Sequence, residues 1–208
     1  MVAQGMPLTT LPGLAPTAPK PVIGETAGVA LTEGTVLLAR PGGGFQTVTA
    51  GMALPFNEVI DATNGAVVLD TARDAAGTPQ EAALGGGQFV LKQSQASGRT
   101  TIVPTGGSVA RTCGAGAHAG SARVARATIA RRRHRVVRQL WTADNHGDYS
   151  TRGLNSVAIV RGTVWVTSEG CDGTRTTVIQ GEVSVTNLRT GRQVLLGAGD
   201  TYLARHHH

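Results

Sequence analysis

Hydrophobic and polar positions alternate along much of the chain with a period of two, in short runs bounded by glycine. "EVSVTN", residues 182–187, shows it most cleanly, with Val183 and Val185 on one face and Glu182, Ser184 and Thr186 on the other. That pattern predicts half-buried β-strands. Similar runs occur at "GTVLLAR", "FQTVTAGMALP", "AVVLDT", "GGGQFVLKQ", "RVVRQLW", "SVAIV", "GTVWVTS", "TRTTVIQ", "RQVLLG" and "TYLA". Turn residues separate them: "PGGG" after the first, "TADNHGD" after "RVVRQLW", "SEGCDGT" after "GTVWVTS", and "TGRQ" with Gly191 after "EVSVTN". Asn64-Gly65 is a favoured type I′ hairpin dipeptide, so a tight hairpin is expected between "EVIDA" and "AVVLDT". In the strand after it, Val67 and Leu69 share one face, Val68 and Asp70 the other. The fold class that follows is all-β, in two related β-rich lobes of solenoid-like or sandwich-like form.

The lobes are expected at residues 22–93 and 136–205. Residues 1–21 read as a Pro-rich linker, since five prolines from Pro7 to Pro21 disfavour helix. Residues 94–135, rich in Gly, Ala, Ser and Arg, read as a flexible connector, with a basic helix as the alternative around residues 121–137. Residues 206–208, "HHH", read as a tag remnant or native tail. "GTVLLARPGGGFQTVTAGMALP" and "GEVSVTNLRTGRQVLLGAGDTYLA" share a rhythm that suggests a degenerate internal duplication.

Composition sharpens this picture. Of the residues, 40% are apolar but only 3% aromatic, so the core must be built from Val, Ile, Leu and Ala. Glycine is abundant, at 29 residues, without a Gly-X-Y period, which excludes collagen and fits many turns. No apolar run approaches the roughly 20 residues of a membrane helix. The N-terminal segment lacks the charged start and apolar stretch of a secretory signal, as expected of a mature or recombinant fragment. The net charge is +6, nearly all of the positive charge being arginine. Much of it clusters at Arg123, Arg126, Arg131, Arg132, Arg133, Arg135 and Arg138. Arg131, Arg132, Arg133 and Arg135 are the candidate anion-binding set. Nucleic acid is disfavoured as the anion because no aromatic side chains interleave them. A protein or a cell-envelope polymer is the expected partner, and exposed β edges offer a route to oligomers.

"SVAIVRGTVWVTSEGCDGTRTTVIQGEVSVTN", with the later "GRQVLLGAGDTYLA", resembles a FecR-like domain. The matching residues are Val160, Arg161, Gly162 and Thr163, then Asp172 and Gly173, then Thr177 to Ile179, Gly181 to Val185, and Ala198-Gly199. The resemblance covers about a third of the chain. It implies an all-β extracytoplasmic domain without catalytic residues. In FecR itself such a domain relays a signal between an outer-membrane receptor and a sigma factor. This chain shows no anti-sigma segment and no membrane helix, which shifts the expectation toward a non-enzymatic structural or binding module of a bacterial surface or secreted protein. A periplasmic FecR-type sensor and a carbohydrate- or polymer-binding domain are the alternatives.

Candidate chemistry is sparse. Cys113 and Cys171 lie in glycine-rich surroundings and suit a disulfide stapling the connector to the second lobe, with two free thiols as the alternative. A disulfide implies an oxidising, extracytoplasmic location. Zinc ligation is disfavoured because no CxxC or CxxH spacing is present. Asp144, Asn145, His146 and Asp148 could bind calcium weakly but read better as a polar turn. Glu169 and Asp172 read as solvated loop residues beside Cys171, and Trp165 as a core residue. "GAGAHAG" misses the GxGxxG spacing, and no Walker A, GxSxG or HExxH occurs, so no cofactor and no enzymatic activity are expected.

Overall fold

The computed structural model describes residues 19–114, 135–160 and 162–206. Among them, strands dominate: β1 (Thr26–Ala39), β2 (Phe45–Thr47), β3 (Ala53–Pro55), β4 (Val59–Ala72), β5 (Pro79–Gly85), β6 (Gln88–Gln93) and β7 (Thr100–Thr105) precede one short helix, α1 (Val109–Gly114). After it come β8 (Val136–Asp144), β9 (Tyr149–Arg152), β10 (Ser156–Val160), β11 (Val164–Gly170), β12 (Gly173–Gln180), β13 (Val183–Asn187), β14 (Gln193–Leu196) and β15 (Thr201–Arg205). The all-β class expected from the alternation is the class observed. All 15 strands belong to one hydrogen-bonded sheet.

The long strand β4 organises that sheet. One of its edges pairs with β1. The other pairs first with β6, at Val59 to Asp61, and then with β5, from Ala66 to Ala72. Two wings therefore diverge from the same edge. The front wing runs β6-β7-β9-β10-β13-β14, and the back wing β5-β8-β11-β12-β15. Their inner faces share a single core, to which the front contributes Phe89, Ile102, Tyr149 and Val185, and the back Leu84, Leu140, Trp165 and Val178. At the far side Asn187 Nδ2 of β13 donates to the Tyr202 hydroxyl of β15 at 3.2 Å, so the sheet is nearly closed.

Asn64-Gly65 does not make the expected hairpin. β4 continues through it without reversing, with Asn64 opposite Thr35 and Gly65 opposite Gly34. These residues form the corner at which β4 leaves the front wing and joins the back wing. A Cβ on Gly65 would stand 2.4 Å from the Glu33 carbonyl oxygen and 2.8 Å from that of Thr35. The glycine is there for close backbone approach at a bend, a role strand glycines share with turns.

The stretch after residue 94, expected to be connector, contains β7. It pairs antiparallel with β6 and parallel with β9. Pro104 disguised it, since proline argues against a central strand. Its pairing with β9 ends at Ile102, and opposite Phe89 it needs no N–H of its own. α1 is capped by Ser108, whose hydroxyl accepts the Arg111 N–H at 3.2 Å. No described helix is long and apolar enough to cross a membrane.

After α1 the chain alternates between wings: β8 back, β9 and β10 front, β11 and β12 back, β13 and β14 front, β15 back. The crossovers between wings recur at one end of the structure, and the polar side chains that hold them define the candidate site.

Candidate functional site

Asp144, at the end of β8, is fully buried. Its Oδ2 accepts the backbone N–H of Gly147 at 3.1 Å and of Gly162 at 3.0 Å, and its Oδ1 accepts that of Thr163 at 2.8 Å. One carboxylate thus ties the β8–β9 crossover to the β10–β11 crossover. Thr163 extends the latch, its hydroxyl donating to the Glu182 carbonyl in the β12–β13 crossover at 3.0 Å. Gly162 supplies a left-handed backbone (φ 62°) that brings its N–H onto Asp144. Burial pushes the Asp144 carboxyl above its ordinary range, while the three N–H groups pull it down. The polar hairpin turn expected over Asp144 to Asp148 is instead a crossover: Asp144 ends β8, β9 begins at Tyr149, the two strands do not pair with each other, and Asp144 joins two loops.

A second latch closes the opposite end. Glu169 is 1% exposed, which corrects the expectation of a solvated loop residue. It is the penultimate residue of β11 and faces inward with Trp165 and Thr167. It forms an ion pair with Arg138 of β8 and accepts the Leu154 N–H from the β9–β10 turn. Thr174 donates to it at 3.4 Å and accepts the Asn155 N–H at 3.0 Å. The back wing thereby grips a hairpin of the front wing. Arg138, counted in the sequence among a basic cluster, is a structural counter-ion.

The motif residues of the resemblance fall at these joints. Val160 is buried at the end of β10, Gly162 and Thr163 sit in the Asp144 latch, and Gly181 packs over the Gly162 carbonyl. Cys171 and Asp172 form the β11–β12 hairpin turn, Gly173 closes it opposite Gly170, and Asp172 pairs with Arg175 at 2.9 Å. Arg161 lies outside the described residues. So do Arg131, Arg132 and Arg133; of the candidate anion-binding set only Arg135 is described, exposed just before β8. Cys113 of α1 and Cys171 are joined by a disulfide, their Cα atoms 5.3 Å apart. Among the described residues no group of three or more His, Cys, Asp or Glu side chains is placed to hold a metal ion.

Asp70 and Glu81 face one another across β4 and β5. Asp70 is 1% exposed, and its Oδ1 has no partner among the described residues. Burial raises its pKa to about 6; Glu81 is raised by burial and then by the Asp70 charge. A carboxyl whose folded pKa exceeds its unfolded value, about 3.9, favours the fold below pH 4 and loses that contribution as pH climbs through 6. Asp70→Asn is expected to abolish this loss. By urea unfolding the variant should match the parent near pH 4 and exceed it at pH 7 by on the order of 2 kcal/mol. A parent whose stability does not fall between pH 4 and 6 would contradict the assignment.

The outer face of the front wing is the remaining feature. Here Thr101, Ser150, Arg152, Val157 and Ile159, with Arg99, line a shallow open depression over β7, β9 and β10. Sequence reasoning singled out none of these as a site, because the register that assembles them includes the unforeseen strand β7. No family model, curated protein or solved structure matches the chain.

Proposed function

We propose that this chain is a non-enzymatic extracytoplasmic module of the FecR-like kind, serving as a structural and binding unit of a bacterial surface or secreted protein. One observation carries the reading. The side chains with the most chemical potential are spent on internal bracing: Asp144 on three backbone N–H groups of the crossovers, Glu169 on Arg138 within the back wing and on Leu154 of the front wing, both cysteines on one cross-link between α1 and the β11–β12 turn. A scaffold braced this way leaves its outer strands for a partner. The disulfide favours an oxidising compartment, since cytosolic thiols are kept reduced. Among the described residues the pairing path ends at β14 and β15, the places where copies of the chain could associate.

The test is thiol mapping of protein recovered from its native cells. Alkylation without reductant, followed by peptide mass spectrometry, should find Cys113 linked to Cys171. Two alkylated thiols in freshly recovered protein would overturn the extracytoplasmic assignment.

A further inference from the structure

The front wing's outer face is assembled by register. Lys92 stands opposite Thr101, Thr101 beside Ser150, Ser150 opposite Ile159, and Arg152 opposite Val157. All are half-buried or exposed except Ser150, which is 3% exposed. The Thr101 and Ser150 hydroxyls lie 3.1 Å apart and share one hydrogen bond. That bond uses a single proton, so the other hydroxyl still has one to donate, and both oxygens keep acceptor capacity. Arg99 directs its Nε–H to Asp148 at 2.8 Å, and its terminal nitrogens make no hydrogen bond among the described residues. Arg152 makes no ion pair among them. Val157 and Ile159 supply an aliphatic floor.

We propose that this depression binds an acidic polysaccharide, seating a uronate carboxylate between Arg99 and Arg152. The proposal rests on the binding-module reading and names its ligand. Guanidinium forks match a carboxylate in two-pronged geometry, and Asp148 holds one fork in place. The paired hydroxyls suit the hydroxyls of the same sugar, and the valine and isoleucine floor suits its C–H face. Two rival polymers fit less well. β9 lies between β7 and β10, with its backbone groups committed on both edges, so a peptide strand finds no ladder to join. Among the described residues no aromatic ring lines the depression, so nucleobases find no stacking surface there.

The experiment is calorimetric titration with polygalacturonate oligomers at about 0.15 M salt, where long-range charge attraction is screened. The intact chain is compared with Arg152→Gln, Arg99→Gln and Arg40→Gln; the last removes the same charge from the exposed β1–β2 hairpin. Binding by the parent is expected, unchanged within about twofold in Arg40→Gln and weakened roughly tenfold or more in Arg152→Gln and Arg99→Gln. Neutral dextran should not bind. Absence of polygalacturonate binding at millimolar concentration would overturn the proposal. So would equal weakening in Arg152→Gln and Arg40→Gln, or polyglutamate binding as tightly as polygalacturonate. Binding that ignores Arg152 and Arg99 removes this site but leaves a binding module; free thiols in the mapping remove the compartment but leave this site.

Discussion

Glu169→Ala is expected to destabilise the protein by about 3–5 kcal/mol, the range for breaking a buried ion pair from one side. The substitution leaves Arg138, only 18% exposed at its side chain, without its counter-charge, and strips the Leu154 N–H of its acceptor. The first loss falls between β8 and β11 within the back wing, the second on the joint between β11 and the β9–β10 turn, so the front wing should loosen at that turn first. Glu169→Gln keeps an acceptor for Leu154 and should lose distinctly less. Adding Arg138→Met to Glu169→Ala should recover part of the stability, because the stranded charge is then gone. Urea unfolding followed by tryptophan fluorescence, from the fully buried Trp165 and the half-buried Trp141, reads all four proteins. A loss below about 1 kcal/mol for Glu169→Ala would place the pair among surface ion pairs and remove the latch.

Removing the disulfide is the other large effect. The bond spans 58 positions of sequence and, in the chain-entropy model, its loss costs about 4 kcal/mol. That is a large share of a usual domain stability of about 5–15 kcal/mol. Cys113→Ser, Cys171→Ser and the double variant should therefore unfold at similar, lower denaturant concentrations, and the parent should join them when reductant is present. Near-additive losses in the double variant would mean that the two cysteines act separately. The bond anchors α1 to the β11–β12 turn, where Cys171 also donates its N–H to the Arg135 carbonyl at 3.1 Å. Cys171 thus holds Cys113 through its sulfur and Arg135 through its backbone N–H.

Local features were legible in the sequence, and non-local ones were not. The alternation of "EVSVTN" gave the inward valines of β13, both fully buried, and the glycines of "SEGCDGT" gave a turn, which the structure closes between Gly170 and Gly173. Asn64-Gly65 misled because a hairpin turn and a strand corner ask for the same small, permissive residues; the choice depends on whether β1 lies alongside. β7 was hidden by a proline tolerated only because a neighbouring strand stops two residues earlier. Glu169 looked solvated because it flanks a turn, yet its side chain points into the space between the wings, where Arg138 awaits it from a strand 31 residues away. Asp144 was recognised as a turn former, but its bonds to Gly162 and Thr163 depend on the crossovers stacking. Register across separate segments makes such sites, and alternation in one strand carries no information about it. The Thr101–Ser150 pair on the outer face is a further case.

Residues on both sides of α1 form one sheet, joined through β5–β8 and β7–β9 and latched at Asp144 and Glu169. Native-state hydrogen exchange by mass spectrometry, across a series of low urea concentrations, tests it directly. Peptides covering β4–β5 and those covering β8–β11 should lose their slowest-exchanging protection together, with one free energy and one denaturant dependence. Two separate transitions, with either half retaining protection after the other has opened, would contradict it.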